Sequence, residues 1–147
     1  MLRELITFEV EGQVFGLDIM AIREIRAWSP TTRLPRVPSY VAGVVNLRGT
    51  VLPVIDLGAR LGWRETEATP RHAIIVTQQG QQISGWIVDA VSDIVTLDSE
   101  TLQPPPPTSA GDTVVPFLEG LAAIDDKMVM VLNLAALSDA VVVPEAA

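Results

Sequence analysis

Apolar residues recur along this chain in short runs, broken at close intervals by glycine, proline and acidic residues, a rhythm that predicts many short β-strands. Over 5–10, Ile6, Phe8 and Val10 fall on one face while Thr7 and Glu9 fall on the other, as a half-buried strand requires. Glu11-Gly12 predicts a hairpin turn into a second strand over 13–17. Asp18 is placed to cap a short helical turn, with Ile19, Ile22 and Ile25 spaced by three, although 23–28 also fits an extended strand. Pro30, Pro35 and Pro38 mark a bent, edge-like stretch. Two β-rich runs, 44–47 and 50–56, flank Arg48-Gly49, which predicts a hairpin with Arg48 at or beside an exposed turn. Pro53 assigns the second run to an edge or a bulge. A short helix is expected over 57–62, ending at Gly62.

The stretch 63–71 is polar and reads as a linker between two strand-rich halves. Beyond it, 73–77 and 82–88 form a hairpin around Gln79-Gly80, with Gly85 marking a bulge, and 91–97 is a third strand. The prolines of 104–107 form a polyproline II run that cannot enter a sheet interior. Runs 118–124 and 128–132 pair across Asp125-Asp126-Lys127, and 134–140 resembles a terminal helix. Two halves of similar style suggest two small barrels, yet no residue-level repeat between them is evident.

Composition narrows what such a molecule does. A chain of 147 residues buries roughly 70% of its unfolded surface, so a core forms without staples. There is no cysteine, hence no disulfide, thiolate nucleophile or zinc–thiolate site, which is compatible with a cytoplasmic setting. The start, Met1-Leu2-Arg3-Glu4, lacks the basic cluster and apolar block of a signal peptide, and no apolar run is long enough for a membrane helix. A net charge of −8 with scattered arginines argues against nucleic acid.

His72 is the only histidine, so no imidazole cluster exists to hold a metal; it reads as a partly exposed structural residue. No serine sits in a nucleophile elbow, and no glycine-rich loop is spaced to cradle phosphate. Asp125-Asp126 is explained by turn geometry, and Asp89 with Asp93 brackets a strand start. The chain therefore reads as a non-catalytic binding module that needs no cofactor. The other class is a small ligand-binding barrel whose pocket Trp28, Trp63 and Trp86 line, although tryptophans serve more often in cores and interfaces.

Three stretches carry a family resemblance. Gly16-Leu17-Asp18-Ile19-Met20-Ala21-Ile22-Arg23-Glu24-Ile25 resembles the G-[IL]-D-[IV]-x-x-V-x-E-[IV] segment of CheW-like coupling domains. Gly43-Val44-Val45-Asn46-Leu47-Arg48-Gly49, continued by Val51-Leu52-Pro53-Val54-Ile55-Asp56-Leu57, is similar to that family's most specific signature. Gly85-Trp86-Ile87-Val88-Asp89-Ala90-Val91-Ser92-Asp93-Ile94 resembles a later segment of it.

The resemblance implies a mainly β fold of two five-stranded SH3-like β-barrels packed side by side, with short helices and a C-terminal helix. Over the single domain 1–147, it sets the first barrel at 8–70, the second at 1–7 with 71–140, and a frayed tail at 141–147. It implies a cytoplasmic adaptor, recruited to membrane receptor arrays, that couples the helical tip of chemoreceptors to the regulatory domain of the histidine kinase CheA. A coupler of another taxis-like pathway, such as surface motility or pilus control, carries the same signature. Position by position, Ile22, Glu24, Gly43, Arg48 and Ile94 match receptor-binding places, and Thr31, Leu34 and Gln103 match kinase-binding ones. Glu24 and Arg48 then form the charged rim of an apolar slot, or simply pair with each other; Ile22 and Ile94 line that slot or belong to the core. Where relatives carry basic and aromatic residues against the kinase, this chain has Leu102-Gln103-Pro104-Pro105-Pro106-Pro107-Thr108, so receptor coupling carries over more directly than ring closure.

Overall fold

The alternation of apolar and polar residues resolves into ten strands among the residues that the computed structural model describes, 1–105 and 114–138. The expected tail at 141–147, the end of the C-terminal helix and the second half of the proline run lie outside those residues. In chain order the strands are β1 (Leu2–Val10), β2 (Gln13–Asp18), β3 (Ile22–Ala27), β4 (Val41–Leu47), β5 (Thr50–Asp56), β6 (Ala73–Gln79), β7 (Gln82–Val88), β8 (Ala90–Asp98), β9 (Leu118–Ile124) and β10 (Lys127–Leu132). Helices α1 (Leu57–Arg60) and α2 (Leu134–Ser138) follow β5 and β10. The helical turn expected from Asp18 is a single 3₁₀ turn, Ile19–Ala21, with the Asp18 carboxylate accepting from the Met20 N–H. The β-branched Ile22 and Ile25 then continue as strand, because pairing with β6 satisfies their backbone better than further helix.

Two five-stranded sheets result, ordered β8-β1-β2-β10-β9 and β3-β6-β7-β5-β4. The mainly β, two-barrel architecture is the expected one, but its partition along the chain is not. A central barrel takes its strands from 22–88, and a terminal barrel takes 2–18 and 90–132 from both ends of the chain. The expected division at 70/71, with only 1–7 crossing over, is corrected for a physical reason. The two-residue turn at Glu11-Gly12 (φ 53 and 75) locks β2 to β1, so the whole hairpin crosses as a unit.

The repeat that the sequence hides is evident in the sheets. Within each barrel one hairpin pairs antiparallel with an edge strand and parallel with the second hairpin. Thr7 stands opposite Gly16 as Val76 stands opposite Gly85, and Gly16 faces Val131 as Gly85 faces Val54. The edge strands share a bulge at matching places, between Ile22 and Glu24 in β3 and opposite Thr7 and Phe8 in β8. The terminal barrel is thus a permuted copy of the central one, with the counterpart of the last hairpin, β6–β7, moved to the start as β1–β2.

Among the described residues, each barrel closes by one isolated bridge rather than a full ladder. Thr32 exchanges two backbone hydrogen bonds of 2.9 Å with Val44, and Gln103 exchanges two of 2.8 Å with Leu121. Val44 thereby turns its polar groups away from Pro53, opposite it, so Pro53 is accommodated in an interior strand just before the β5–β7 ladder begins at Val54. That corrects the expected edge or bulge. Gly85 also marks no bulge, since the β6–β7 ladder is unbroken; a Cβ there would meet Ile74 at 2.8 Å.

Leu5, Leu97, Val129 and Val131 fill the terminal barrel, and Leu52, Val54, Ile74 and Val76 fill the central one. A third cluster lies between them, where Phe8, Phe15 and Leu17 meet Ile55, Ile75 and Trp86. Leu57, Leu61 and Leu137 of the helical segments complete it. Arg60 spans this junction: its guanidinium stacks on Tyr40 (4.9 Å) and Phe117 (4.6 Å), and its Nε donates to the Leu137 carbonyl at 3.0 Å. Replacing Arg60 with alanine is expected to lower stability by about 2 kcal/mol in urea unfolding, with lysine restoring only part of it. An unchanged midpoint would show that the two aromatic contacts carry no stability.

Candidate functional site

Arg48 and Gly49 adopt left-handed backbone (φ 50 and 87), and the turn is fixed by the Gly49 N–H donating to Asn46 Oδ1 at 2.8 Å. This geometry holds Arg48 at a corner of the central barrel with 74% of its side chain exposed. Its guanidinium donates to Glu24 Oε1 at 2.7 Å. Glu24 sits just past the β3 bulge, so the pair joins the two strands at opposite ends of the sheet order, β3 and the β4–β5 turn. Exposed ion pairs contribute on the order of 0–1 kcal/mol, so folding alone gives little reason for this one. Exposed Ile25 and Val51 flank it along the chain.

The other expected positions divide into three groups. Ile22 is half-buried and packs against the cluster between the barrels, which gives it a core role. Gly43 (φ 145) is buried beneath the barrel-closing bridge, where a Cβ would lie 2.3 Å from the Thr32 carbonyl oxygen, so its backbone place already explains it. Thr31 belongs to the same stretch: its hydroxyl donates to the Ala42 carbonyl at 3.0 Å, and it lines a pocket of about 340 Å³ with Trp28 and Arg33. Leu34 is half-buried nearby in sequence. Ile94 is no core residue, being 54% exposed, and it lies on β8 of the terminal barrel opposite Ile6. Gln103 is exposed and forms the terminal barrel's own closing bridge, the counterpart of Thr32.

Two open clefts reach across both barrels. One, of about 490 Å³, is lined by Glu11, Thr66, His72 and Asp89. His72 accepts from the Thr69 N–H at Nδ1 (3.0 Å) and points Nε2 at Asp89 Oδ1 (3.5 Å), while Asp89 accepts from the Glu11 N–H (2.8 Å). This clasps the β1–β2 turn to the start of β6 and agrees with a structural histidine. The other cleft, of about 270 Å³, includes Arg3, which bonds Glu119 (2.7 Å) and Asp18 (3.2 Å). The Glu119 hydrogen bond leads in holding that guanidinium above its ordinary pKa, against desolvation. None of the five expected receptor-binding residues lines either cleft.

Sequence reasoning missed Asp56, which is 5% exposed. It accepts from the Ala59 N–H at the start of α1, and from the N–H and hydroxyl of Thr66. An aspartate directly before a predicted helix was the available signal. Among the described residues, no group of His, Asp and Glu is arranged to hold a metal ion.

Comparison with known proteins places these features in context. A family model described as the CheW-like domain matches residues 4–142. The probable chemotaxis protein CheW of Rhizobium etli is 49% identical over 135 residues, covering 92% of this chain and 86% of that one. Protein FrzA of Myxococcus xanthus is 31% identical over 119 residues, 81% of this chain and 73% of its own. The crystal structure of the scaffolding protein TtCheW from Thermoanaerobacter tengcongensis superposes with a TM-score of 0.82 at 34% identity, covering 95% of this chain and 89% of that one. The two barrels are therefore of the SH3-like type expected from the sequence.

The backbone explanation of Gly43 is testable. Gly43→Ala forces a Cβ against a carbonyl oxygen, and is expected to cost about 3 kcal/mol in chemical denaturation. A variant as stable as the parent would return Gly43 to the list of residues kept for contact alone.

Proposed function

This chain belongs to the CheW-like domain family, and from that premise we propose that it is a non-catalytic adaptor coupling chemoreceptors to the histidine kinase CheA. The observation that carries the reading is the corner at Glu24 and Arg48. There a charged pair that contributes little to folding stands exposed, with Ile25 and Val51 beside it along the chain. An arginine fork and apolar side chains together suit a partner helix with mixed surface chemistry.

In this reading the receptor's helical tip engages Arg48, Glu24 and Ile94, and Ile22 and Gly43 support the contact from beneath. The kinase's regulatory domain meets the bridge segments of both barrels, at Thr31 and Leu34 in one and Gln103 in the other. Placing both partners on one small body raises their effective concentration toward each other, which is coupling without covalent chemistry. The adaptor acts in the cytoplasm and reaches the membrane through the receptors. Among the described residues, no helix is long and apolar enough to cross a bilayer.

A second reading, a coupler for another taxis-like pathway, is favoured by the similarity to a relative carrying a different name, Protein FrzA. The kinase recovered with the tagged chain from its own cells separates the two.

Reversing one charge tests the corner. Arg48→Glu is expected to weaken binding of a receptor cytoplasmic fragment at least tenfold in calorimetric titration, about 1.4 kcal/mol, with unfolding nearly unchanged. The swapped pair, Glu24→Arg with Arg48→Glu, keeps an internal ion pair and is expected to stay as weak. Full recovery in the swap, or no loss in the single variant, would reduce the pair to a brace within the barrel.

A further inference from the structure

Because the barrels repeat one plan, each position at the Glu24–Arg48 corner has a counterpart in the terminal barrel. Glu24, opposite Val76, corresponds to Asp93, opposite Thr7, each just beyond the edge-strand bulge. The Arg48-Gly49 turn corresponds to Asp125-Asp126, with φ of 49 and 64 in place of 50 and 87. Exposed Ile25 and Val51 correspond to exposed Ile94 and Met128. The scaffold is conserved between the two corners; the charge is not. Where the central barrel sets a guanidinium against a carboxylate, the terminal barrel sets a carboxylate against a carboxylate.

Those carboxylates line a pocket of about 90 Å³ with Thr7, Val95, Ile124 and Lys127. Among the described residues, Asp93 Oδ1 accepts only from the N–H of Ile94. Among the described residues, no ion pair links Asp93 or Asp125 to Lys127 or any other cation. The strand above the pocket is open, with residues 90–94 of β8 all exposed. Ile94 is 54% and Met128 57% exposed, which puts two large apolar side chains at the same rim.

We propose that this corner is a docking site for a partner protein that presents an arginine among apolar residues. The guanidinium enters the pocket at Asp93 and Asp125, and the neighbouring apolar side chains cover Ile94 and Met128. Two observations select this occupant. The counterpart carboxylate in the same chain holds an arginine at 2.7 Å, which shows what this strand-and-turn corner accommodates. Both terminal-barrel carboxylates also line one pocket, and a planar guanidinium fork can bond two carboxylates at once where a compact ammonium is a point charge. Ile94 is shared with the receptor-coupling reading, whereas Asp93, Asp125 and Met128 belong to this proposal alone, so a variant at Asp93 and Asp125 that loses the peptide and keeps the receptor fragment separates the two.

The test uses the full chain labelled with ¹⁵N and the tripeptide acetyl-Leu-Arg-Leu-amide as probe. Amide shifts are expected at Asp93, Ile94 and 124–127, saturating at roughly millimolar peptide, reduced by salt and absent with citrulline in place of arginine. Asp125→Arg rebuilds internally the pair that the other barrel has, at a backbone angle where Arg48 already sits. It is expected to abolish the shifts while keeping or raising the melting temperature, and Asp93→Asn with Asp125→Asn is expected to abolish them too. No shifts by about 10 mM peptide, equal binding of the citrulline peptide, or undiminished binding by Asp125→Arg overturns the proposal. Sedimentation showing self-association that Asp125→Arg removes would make the occupant a second copy of this chain, and would overturn the assignment to a different partner protein.

Discussion

Each sheet in this molecule has two apolar faces, and curling into a barrel buries only one. The outer face, carrying Phe8, Phe15 and Leu17 in one barrel and Ile55, Ile75 and Trp86 in the other, is covered by its counterpart, with Leu57, Leu61 and Leu137 of the helical segments closing the sides. Burying a side chain of this size contributes roughly 1.5–3 kcal/mol, so the shared cluster makes one body of two small units that would be marginal alone. The Trp86 indole N–H in its midst is satisfied internally, donating to Thr77 Oγ1 at 2.9 Å. Arg60, between Tyr40 and Phe117, seals the same junction from the helical side.

With the apolar faces spent on each other, the rims and seams remain for partners. The seams are narrow: a single bridge closes each barrel, and it demands a glycine beneath it, Gly43 under Thr32 and Gly120 under Gln103. Side chains then differentiate what backbone keeps identical. One seam is pinned by Glu24 and Arg48, while the other ends in carboxylates of like charge. Two geometrically equivalent but chemically opposite corners give the molecule a built-in polarity, which suits the proposed adaptor reading, in which different partners dock at different places.

Local chemistry was legible in the sequence, and partnership was not. The turns at Glu11-Gly12, Arg48-Gly49 and Gln79-Gly80 announced their hairpins because two residues suffice to set a turn. Which hairpin joins which sheet depends on contacts distant along the chain, so the division at 70/71 misplaced both β2 and the β6–β7 pair. Permutation hid the repeat, although Gly16 to Ile25 and Gly85 to Ile94 share glycine, alanine and isoleucine at matching places. Pro53 and Gly85 were misread because a bridge from Thr32 and a methyl of Ile74 decide their settings. The Glu24–Arg48 pair was visible only through family resemblance, since nothing local to β3 announces a partner in the β4–β5 turn.

The crossing of the β1–β2 hairpin has a consequence for how the molecule is made. On the ribosome the hairpin emerges before the other strands described, yet its neighbours β8 and β10 follow the whole central barrel, with Leu2 eventually meeting Asp98 and Phe15 meeting Met130. The central barrel has all five of its strands once residue 88 has been translated, well before the terminal barrel can close. Nascent chains therefore hold every strand of the middle barrel while the leading hairpin still lacks its neighbours, with Leu5 waiting for Leu97, Val129 and Val131. High contact order in one half and low in the other makes closure of the terminal barrel the slow step, and the leader the segment most in need of chaperone cover.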